Sequence, residues 1–184
     1  ISENSIEYAR SEAVKNNLDI EYICQNYLEL DVHNRYDLII MIYTDFGVLL
    51  PDDRDVLLKK IYNALLPGGT FIFDVVNDRN LDDKFSGAQA WTVTAGGFWR
   101  PHKYLELING FHYPENNVYL MQHSIMDVND RLVRDRFWTH YFNTEDVIAM
   151  LSTLNFEQTE AFENILPAKD IWDGENVTFY KTQK

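Results

Sequence analysis

The sequence has few glycines, a single cysteine and a shortage of positive charge. Its 184 residues include eight glycines, and none of them forms a G-x-G-x-x-G pattern or a phosphate-cradling loop. One cysteine, Cys24, excludes an internal disulfide framework and favours a reducing compartment. Sixteen basic against 29 acidic residues give a net charge of -13. Nucleic acid and anionic membrane surfaces are therefore poor partners for this chain.

The sequence also lacks long apolar runs. Its longest, residues 38–43, is the size of a strand and far below the roughly 20 residues that a membrane span needs. The opening Ile-Ser-Glu-Asn-Ser has no basic region and no apolar stretch, so it does not resemble a signal peptide. We expect a cytoplasmic protein without a membrane partner. Because the sequence lacks an initiator Met, we also expect that it begins partway through a longer protein.

Hydrophobic periodicity predicts an α/β arrangement for the first 80 residues. A helix is expected over 2–17, and a second one begins at Pro51 and is stopped by Pro67-Gly68-Gly69. Strands are expected over 20–24, 36–43 and 70–76. The last two are continuously apolar apart from single acids, which predicts burial on both faces, as in parallel sheets.

The pattern changes to antiparallel strands after residue 97. Strands are expected over 104–113, 118–128 and 132–141, with a hairpin turn at Asn129-Asp130. A helix capped by Thr144 and strands near 158–162 and 177–182 complete the chain. The expected organisation is a core of residues 1–80 and 142–184 with an antiparallel insertion over 81–141.

Several stretches resemble class I S-adenosylmethionine-dependent methyltransferases. They read YDLIIMIYTDFGVLL, LLKKIYNALLPGGTFIFDVVN, YFNTEDVIAMLSTLNFE and the opening ISENSIEYAR. The resemblance implies a Rossmann-like sheet, S-adenosylmethionine as cofactor, and methyl transfer to a small-molecule acceptor through a nitrogen or oxygen nucleophile. The insertion looks like that of methyltransferases acting on amines and amino sugars.

The sequence departs from the family pattern at its N-terminal end. The family's glycine-rich loop after the first strand is absent, as is the acidic residue that ends its second strand. In the family's strand order, 3-2-1-4-5-7-6, this loss leaves unpaired strand edges, which are costly when buried. We therefore predict a sheet that is incomplete at the N-terminus, with the missing strands in a longer chain or supplied otherwise. A pairing of strand 20–24 with strand 36–43 would contradict this reading.

The resemblance implies cofactor contacts after two of the strands. Asn26 and Tyr27 stand where the family binds adenine, and Asn26 replaces an acidic residue; an ordinary turn asparagine is an equally weighted alternative. Tyr43 and Thr44 would lie against the cofactor at the carboxyl edge of the sheet. Asp45 is a candidate catalytic residue, with a capping role as its alternative. The remaining cofactor candidate is Phe46, for which a place in the core is equally compatible.

The insertion is rich in aromatic and basic residues. Alternation along residues 132–141 places Arg134, Arg136, Trp138 and His140 on one face and Phe137, Thr139 and Tyr141 on the other. His140 is the best candidate for a proton acceptor. Candidate substrate contacts are Trp99, Arg136 and Tyr141. The alternative for this face is a solvated basic surface.

Two further function classes remain open at this stage. The five histidines lack the spacing of a zinc site, so no metal is expected. Buried strands and a Pro-Gly-Gly turn also fit a nucleotide-binding α/β oxidoreductase, and the missing glycine loop fits a non-catalytic binding module. The oligomeric state is not indicated by the sequence.

Overall fold

The computed structural model describes residues 2–81, 89–129, 131–167 and 174–184. In these ranges, helices α1, α2 and α3 span Glu3–Lys15, Pro51–Ala64 and Thr144–Thr153. Eight strands, β1 to β8, span Tyr36–Met41, Leu65–Asn77, Gln89–Thr94, Tyr104–Tyr113, Val118–Asp127, Leu132–Phe142, Glu157–Phe162 and Val177–Gln183. Within the described ranges, no helix is both long and apolar enough to cross a membrane.

The sheet confirms the expected α/β fold class. Strand β1 pairs in parallel with β2, β2 pairs antiparallel with β8, and β8 pairs antiparallel with β7. This order reproduces the 4-5-7-6 end of the order that the family resemblance implies.

The core lies on one face of β2, under α2 and α3. Phe71, Phe73 and Val75 alternate along β2 and are fully buried in one cluster with the helices. Phe71 and Phe73 stack with their ring centroids 4.8 Å apart. Because successive side chains point to opposite faces, Ile72 and Asp74 lie on the face that the helices leave uncovered.

Strand β1 is not buried on both faces, which corrects one expectation. Ile39 and Met41 pack against the core cluster, whereas Leu38 and Ile40 are 49% and 54% exposed. Among the described residues, β1 pairs with β2 alone, so one strand edge and one strand face are left open. A continuous apolar run is typical of a strand that is covered on both faces. The described chain covers only one face of β1.

The expected strand at 20–24 is also wrong. The chain between α1 and the 3₁₀ helix Tyr27–Glu29 has no regular structure, and Ile20 and Ile23 are exposed. A short β-rich run forms a strand only when it pairs with another strand, and within the described residues 20–24 pairs with none. Arg10 Nη2 donates a hydrogen bond to the Tyr22 carbonyl at 2.7 Å instead.

The Pro67-Gly68-Gly69 turn lies inside β2 instead of before it. The register moves from Tyr36 opposite Leu65 to Leu38 opposite Thr70, so five positions on β2 face two on β1. Gly68, with a φ of 77°, lies in the bulge that the extra β2 residues form. Helix α2 ends at Ala64, three residues before Pro67, and the chain is extended from Leu65 onward.

The antiparallel strands form as expected, with one addition. Strands β4, β5 and β6 match the predicted runs to within one or two residues. Strand β3 was not predicted, although Trp91 and Val93 in it alternate with polar residues. At the β5–β6 turn, Asp127 accepts hydrogen bonds from the backbone N–H groups of Asn129 and Arg131. Asp130 itself lies outside the described residues.

Strand β6 joins the antiparallel strands to the parallel sheet at the point where β1 ends. The last β1–β2 pair is Met41 with Phe73, and β6 then pairs with β2 at Val76 and Asn77. The antiparallel strands therefore stand beyond the carboxyl end of β1. In open α/β sheets this edge is where ligands bind.

The N-cap of helix α3 lies one residue before the expected one. Asn143 is the N-cap: its side-chain oxygen accepts from the Asp146 N–H at 2.7 Å, and its amide nitrogen donates to the Asp146 carboxylate at 2.8 Å. Thr144 instead shares a hydrogen bond with the Tyr180 hydroxyl at 3.1 Å. An Asn-Thr pair offers two capping residues, and the pairing of Thr144 with buried Tyr180 decides between them.

Asn143→Ala should lower the free energy of unfolding by about 1 kcal/mol, since it leaves the first turn of α3 without its side-chain acceptor. Chemical denaturation measures the effect. Thr153→Ala, at the exposed end of the same helix, is the matched control and should change stability by less than about 0.5 kcal/mol. Equal effects of the two substitutions would contradict the assignment of Asn143 as the cap.

Candidate functional site

The chain turns sharply where β1 ends. Tyr43 and Thr44 have φ values of 82° and 57°, in the left-handed region that non-glycine residues rarely adopt. Each such residue costs of the order of 1–3 kcal/mol when the surroundings hold it there. A 3₁₀ helix, Asp45–Val48, follows directly. Two consecutive strained residues therefore lie at the carboxyl edge of the sheet.

A buried carboxylate holds this turn. Asp74 Oδ1 accepts a hydrogen bond from the Thr44 N–H at 2.8 Å, and Oδ2 accepts one from the Tyr43 N–H at 3.2 Å. Asp74 is only 4% exposed. Burial raises the pKa of Asp74, the two N–H groups oppose this, and the charge of Asp45 adds a smaller increase.

The side chains of the turn differ in their exposure to solvent. Tyr43 is 80% exposed and Asp45 is exposed as well. Thr44 is buried, and its hydroxyl donates to the Tyr43 carbonyl at 2.7 Å. Phe46 is fully buried between Phe73 and Phe142, with centroid distances of 4.9 Å and 5.8 Å. The structure thus places Phe46 in the core, the second of the two roles considered for it, and leaves Tyr43 and Asp45 at the surface.

The 3₁₀ helix Tyr27–Glu29 lies beside this turn. Asn26 caps it by accepting a hydrogen bond from the Leu28 N–H at 3.0 Å. Burial raises the pKa of the Tyr27 phenol, and the charges of Asp45 and Asp53 raise it further, which places this ring near the turn and near the start of α2. Among the described residues, none accepts a hydrogen bond from the Tyr27 N–H, which directly follows the Asn26 cap.

His140 reaches the same region from the end of β6. Its Nδ1 lies 3.0 Å from the Gly47 carbonyl oxygen. A carbonyl can only accept, so Nδ1 carries the proton and Nε2 has a free lone pair in the neutral ring. Burial lowers the pKa of His140, the Gly47 carbonyl opposes this, and the charge of Arg54 lowers it again. The ring is therefore held in the form that can accept a proton.

Gly47 allows the turn and β6 to approach closely. A β-carbon at this position would lie 2.8 Å from the His140 carbonyl oxygen, a distance that real side chains do not reach. The contact is between two backbones, so neither side can move away by changing a rotamer. Glycine at this position is therefore required by the way the turn packs against β6.

The other predicted residues of the insertion are divided between the two faces of the antiparallel strands. Arg136 is exposed on the His140 face and donates from Nε to Gln122 at 2.9 Å. Tyr141 points the opposite way, with its hydroxyl 3.1 Å from His112 Nε2. Trp99 lies on that opposite face too, where its ring packs against His123 and Phe137. The structure therefore does not bring Trp99 and Tyr141 together with His140.

Sequence reasoning missed three charged residues. One is Asp74, whose signal was a single acid within the apolar run TFIFDVV. Another is Arg54, 8% exposed over the rings of Phe142 and Phe46; burial lowers its pKa. The third is Glu106, which accepts hydrogen bonds from Trp99 Nε1 at 2.9 Å and pairs with His123 Nδ1 at 2.7 Å.

The described part of the chain contains no group of three or more histidine, cysteine or acidic side chains that could hold a metal ion. Near the carboxyl edge of β1 it has a neutral imidazole, an exposed carboxylate, two exposed tyrosines, a half-buried asparagine amide and a backbone N–H without an acceptor among the described residues. These groups suit an organic ligand with hydrogen-bonding edges and an aromatic ring.

Gly47→Ala should lower the free energy of unfolding by roughly 1–3 kcal/mol, because the new methyl group forces β6 and the turn apart. The measurement is chemical denaturation. Gly97→Ala is the matched control, since a β-carbon there would meet only the movable Tyr104 hydroxyl, at 3.2 Å. A Gly47→Ala protein as stable as the control would show that the two backbones do not approach this closely.

His140 should make the protein less stable in acid. A free histidine titrates near pH 6.5, and the folded pKa is lower, so this contribution is complete above about pH 6.5 and is lost as the pH falls through the folded value. Between about pH 7.5 and about pH 5.5, wild type should lose more unfolding free energy than His140→Asn, which keeps a donor for Gly47. Exposed His33→Asn should follow wild type. Identical pH dependence in His140→Asn and wild type would contradict a neutral His140.

Comparisons with known proteins identify the fold. Residues 1–69 match a family model described as a methyltransferase domain. Over 72 residues, 39% of this chain, the sequence is 40% identical to a carboxy-S-adenosyl-L-methionine synthase from Helicobacter hepaticus, and the match covers 29% of that relative. The chain thus matches less than a third of that curated relative's length.

Solved structures resemble a much larger part of the chain. An S-adenosylmethionine-dependent methyltransferase from Clostridium acetobutylicum superposes with a TM-score of 0.71 over 99% of this chain and 72% of that one, at 16% identity. An amino pentose methyltransferase from Micromonospora echinaspora, solved with S-adenosylmethionine bound, reaches 0.57 over 87% and 63%, at 14% identity. The chain has the class I S-adenosylmethionine-dependent methyltransferase fold, and its first 69 residues match the methyltransferase domain family.

Proposed function

We propose that the protein transfers a methyl group from S-adenosylmethionine to the nitrogen or oxygen of a small-molecule acceptor. The observation that carries the proposal is the grouping of Tyr27, the turn after β1 and His140 at the carboxyl edge of β1. Two of these elements, Tyr27 and the turn, lie within the segment that matches the methyltransferase domain. This edge is also where the fold class binds its ligands.

The Asn26 amide and the Tyr27 N–H fit the adenine end of the cofactor. An adenine edge offers a ring nitrogen that accepts and an amino group that donates. The Tyr27 N–H supplies the matching donor, and the Asn26 amide oxygen has a second lone pair besides the one used by the Leu28 N–H. The exposed ring of Tyr43 adds an aromatic surface at the same edge. The donor set thus fits the cofactor, with a neutral amide where the family has an acid.

His140 is the proposed proton acceptor for the reaction. When bound, S-adenosylmethionine supplies a methyl carbon that is already activated for displacement. The nucleophile must then lose a proton, and Nε2 of the neutral His140 ring is oriented by the Nδ1 bond to Gly47 to receive it. Arg136, on the same face of β6, is the proposed contact for an anionic or hydroxylated acceptor. Asp45, exposed at the turn, would bind a polar group of the acceptor.

A second candidate is the synthesis of a carboxylated S-adenosylmethionine derivative. It is favoured by the 40% identity to a carboxy-S-adenosyl-L-methionine synthase over 72 residues. Both candidates require the same cofactor edge and differ in the second substrate. The product separates them: a methylated acceptor with S-adenosylhomocysteine in one case, and a heavier sulfonium nucleoside in the other.

Isothermal titration calorimetry of the chain with S-adenosylmethionine and S-adenosylhomocysteine should show binding of both. Asn26→Ser should raise the dissociation constants about tenfold, because serine still caps Leu28 but loses the amide that faces adenine. The matched control is Asn129→Ser, at the far turn between β5 and β6, which should leave both constants unchanged. A titration with NAD tests the oxidoreductase alternative.

Binding of NAD in place of the two sulfur nucleotides would overturn the proposal. Binding of the sulfur nucleotides with equal constants in wild type and Asn26→Ser would leave the cofactor but contradict the adenine site. Mass spectrometry of the small molecules formed after incubation with cell extract then distinguishes methyl transfer from the second candidate.

A further inference from the structure

The carboxylate of Asp74 occupies a special position relative to β1. The β1–β2 ladder ends at Met41 and Phe73, and Asp74 is the next residue of β2. Its two oxygens accept the N–H groups of Tyr43 and Thr44, so the side chain continues the pairing that the backbone of β2 no longer supplies. The carboxylate therefore holds the chain after β1 where an ordinary strand end would be loose.

The two residues held in this way, Tyr43 and Thr44, have backbone conformations that are intrinsically unfavourable for them. Both have positive φ, and Thr44 is β-branched, which makes the left-handed region particularly unfavourable for it. Each of the two N–H groups donates to a different oxygen of one ionised group, and bonds to ionised acceptors are stronger than neutral ones. An amide in place of the carboxylate would direct an N–H group at one of these donors.

We propose that Asp74 is a positioning residue for the cofactor edge: its carboxylate fixes the left-handed Tyr43–Thr44 turn and thereby the places of the exposed Tyr43 ring and Asp45 carboxylate. The inference rests on the proposed function for the identity of the ligand. Asp74 is only 4% exposed and lies beneath the turn. It acts through the backbone of the two residues above it.

Hydrogen exchange tests the hold on the turn without any ligand. In the full chain, the amides of Tyr43 and Thr44 should be protected, and Asp74→Asn should speed the exchange of one or both by at least about tenfold, the effect expected for losing one charge-assisted bond. Asp127→Asn is the matched control, since that carboxylate also accepts two backbone N–H groups but in the distant β5–β6 turn. It should leave both amides unchanged.

Titration with S-adenosylhomocysteine tests the consequence for the site. Asp74→Asn should raise the dissociation constant about tenfold, again the effect of one charge-assisted bond. Thr44→Gly in the same chain should bring it back to within about threefold of wild type, because glycine adopts this backbone conformation without strain. A merely structural role of Asp74 in global stability would not be rescued by a glycine in the turn.

The outcomes distinguish a failure of the proposed function from a failure of the proposed role of Asp74. No binding by wild type would overturn the proposed function, whereas wild type and Asp74→Asn binding equally would overturn the role of Asp74. Unchanged exchange at Tyr43 and Thr44 would overturn it as well. If Asp74→Asn does not fold, Asp74→Glu replaces it: the charge stays but moves by one methylene, and the proposal requires weaker ligand binding than wild type.

Discussion

The parallel pairing of β1 with β2 is the constraint on which the rest of the site depends. It fixes one edge of the sheet up to Met41 and Phe73, and everything proposed to bind a ligand is arranged just beyond that pair. The turn, the buried carboxylate beneath it and the entry of β6 beside Val76 all use the part of β2 that extends past β1. A shorter β2 would remove all three together.

The strain in the turn and the burial of a charge offset one another. Left-handed Tyr43 and Thr44 are unfavourable alone, and so is an ionised carboxylate removed from water. The carboxylate of Asp74 accepts hydrogen bonds from the two N–H groups of the turn, which holds the strained backbone in place. The same two bonds stabilise the carboxylate in its buried position. Structures of this kind are typical of functional sites, where geometry is held at the expense of stability.

The sequence predicted most of the helices and strands, but not β3, and it did not predict what covers each element. Strand periodicity placed β4 to β6 closely, because side-chain alternation in antiparallel strands depends only on neighbouring residues. The exposure of Leu38 and Ile40 could not be predicted. It depends on whether a second layer covers that face of β1, which hydropathy alone does not reveal. Alternation did separate His140 from Tyr141, yet Trp99 lies in a loop without periodicity, and only packing against His123 and Phe137 places it on a face.

The close approach of Gly47 to the His140 carbonyl has a mechanical consequence. Two backbones in contact at this distance cannot slide independently, and packed interiors transmit displacement instead of absorbing it. A molecule that presses on the turn after β1 therefore also presses on the end of β6. For the proposed cofactor and acceptor sites, thermodynamic linkage requires that any effect of one ligand on the affinity of the other be reciprocal.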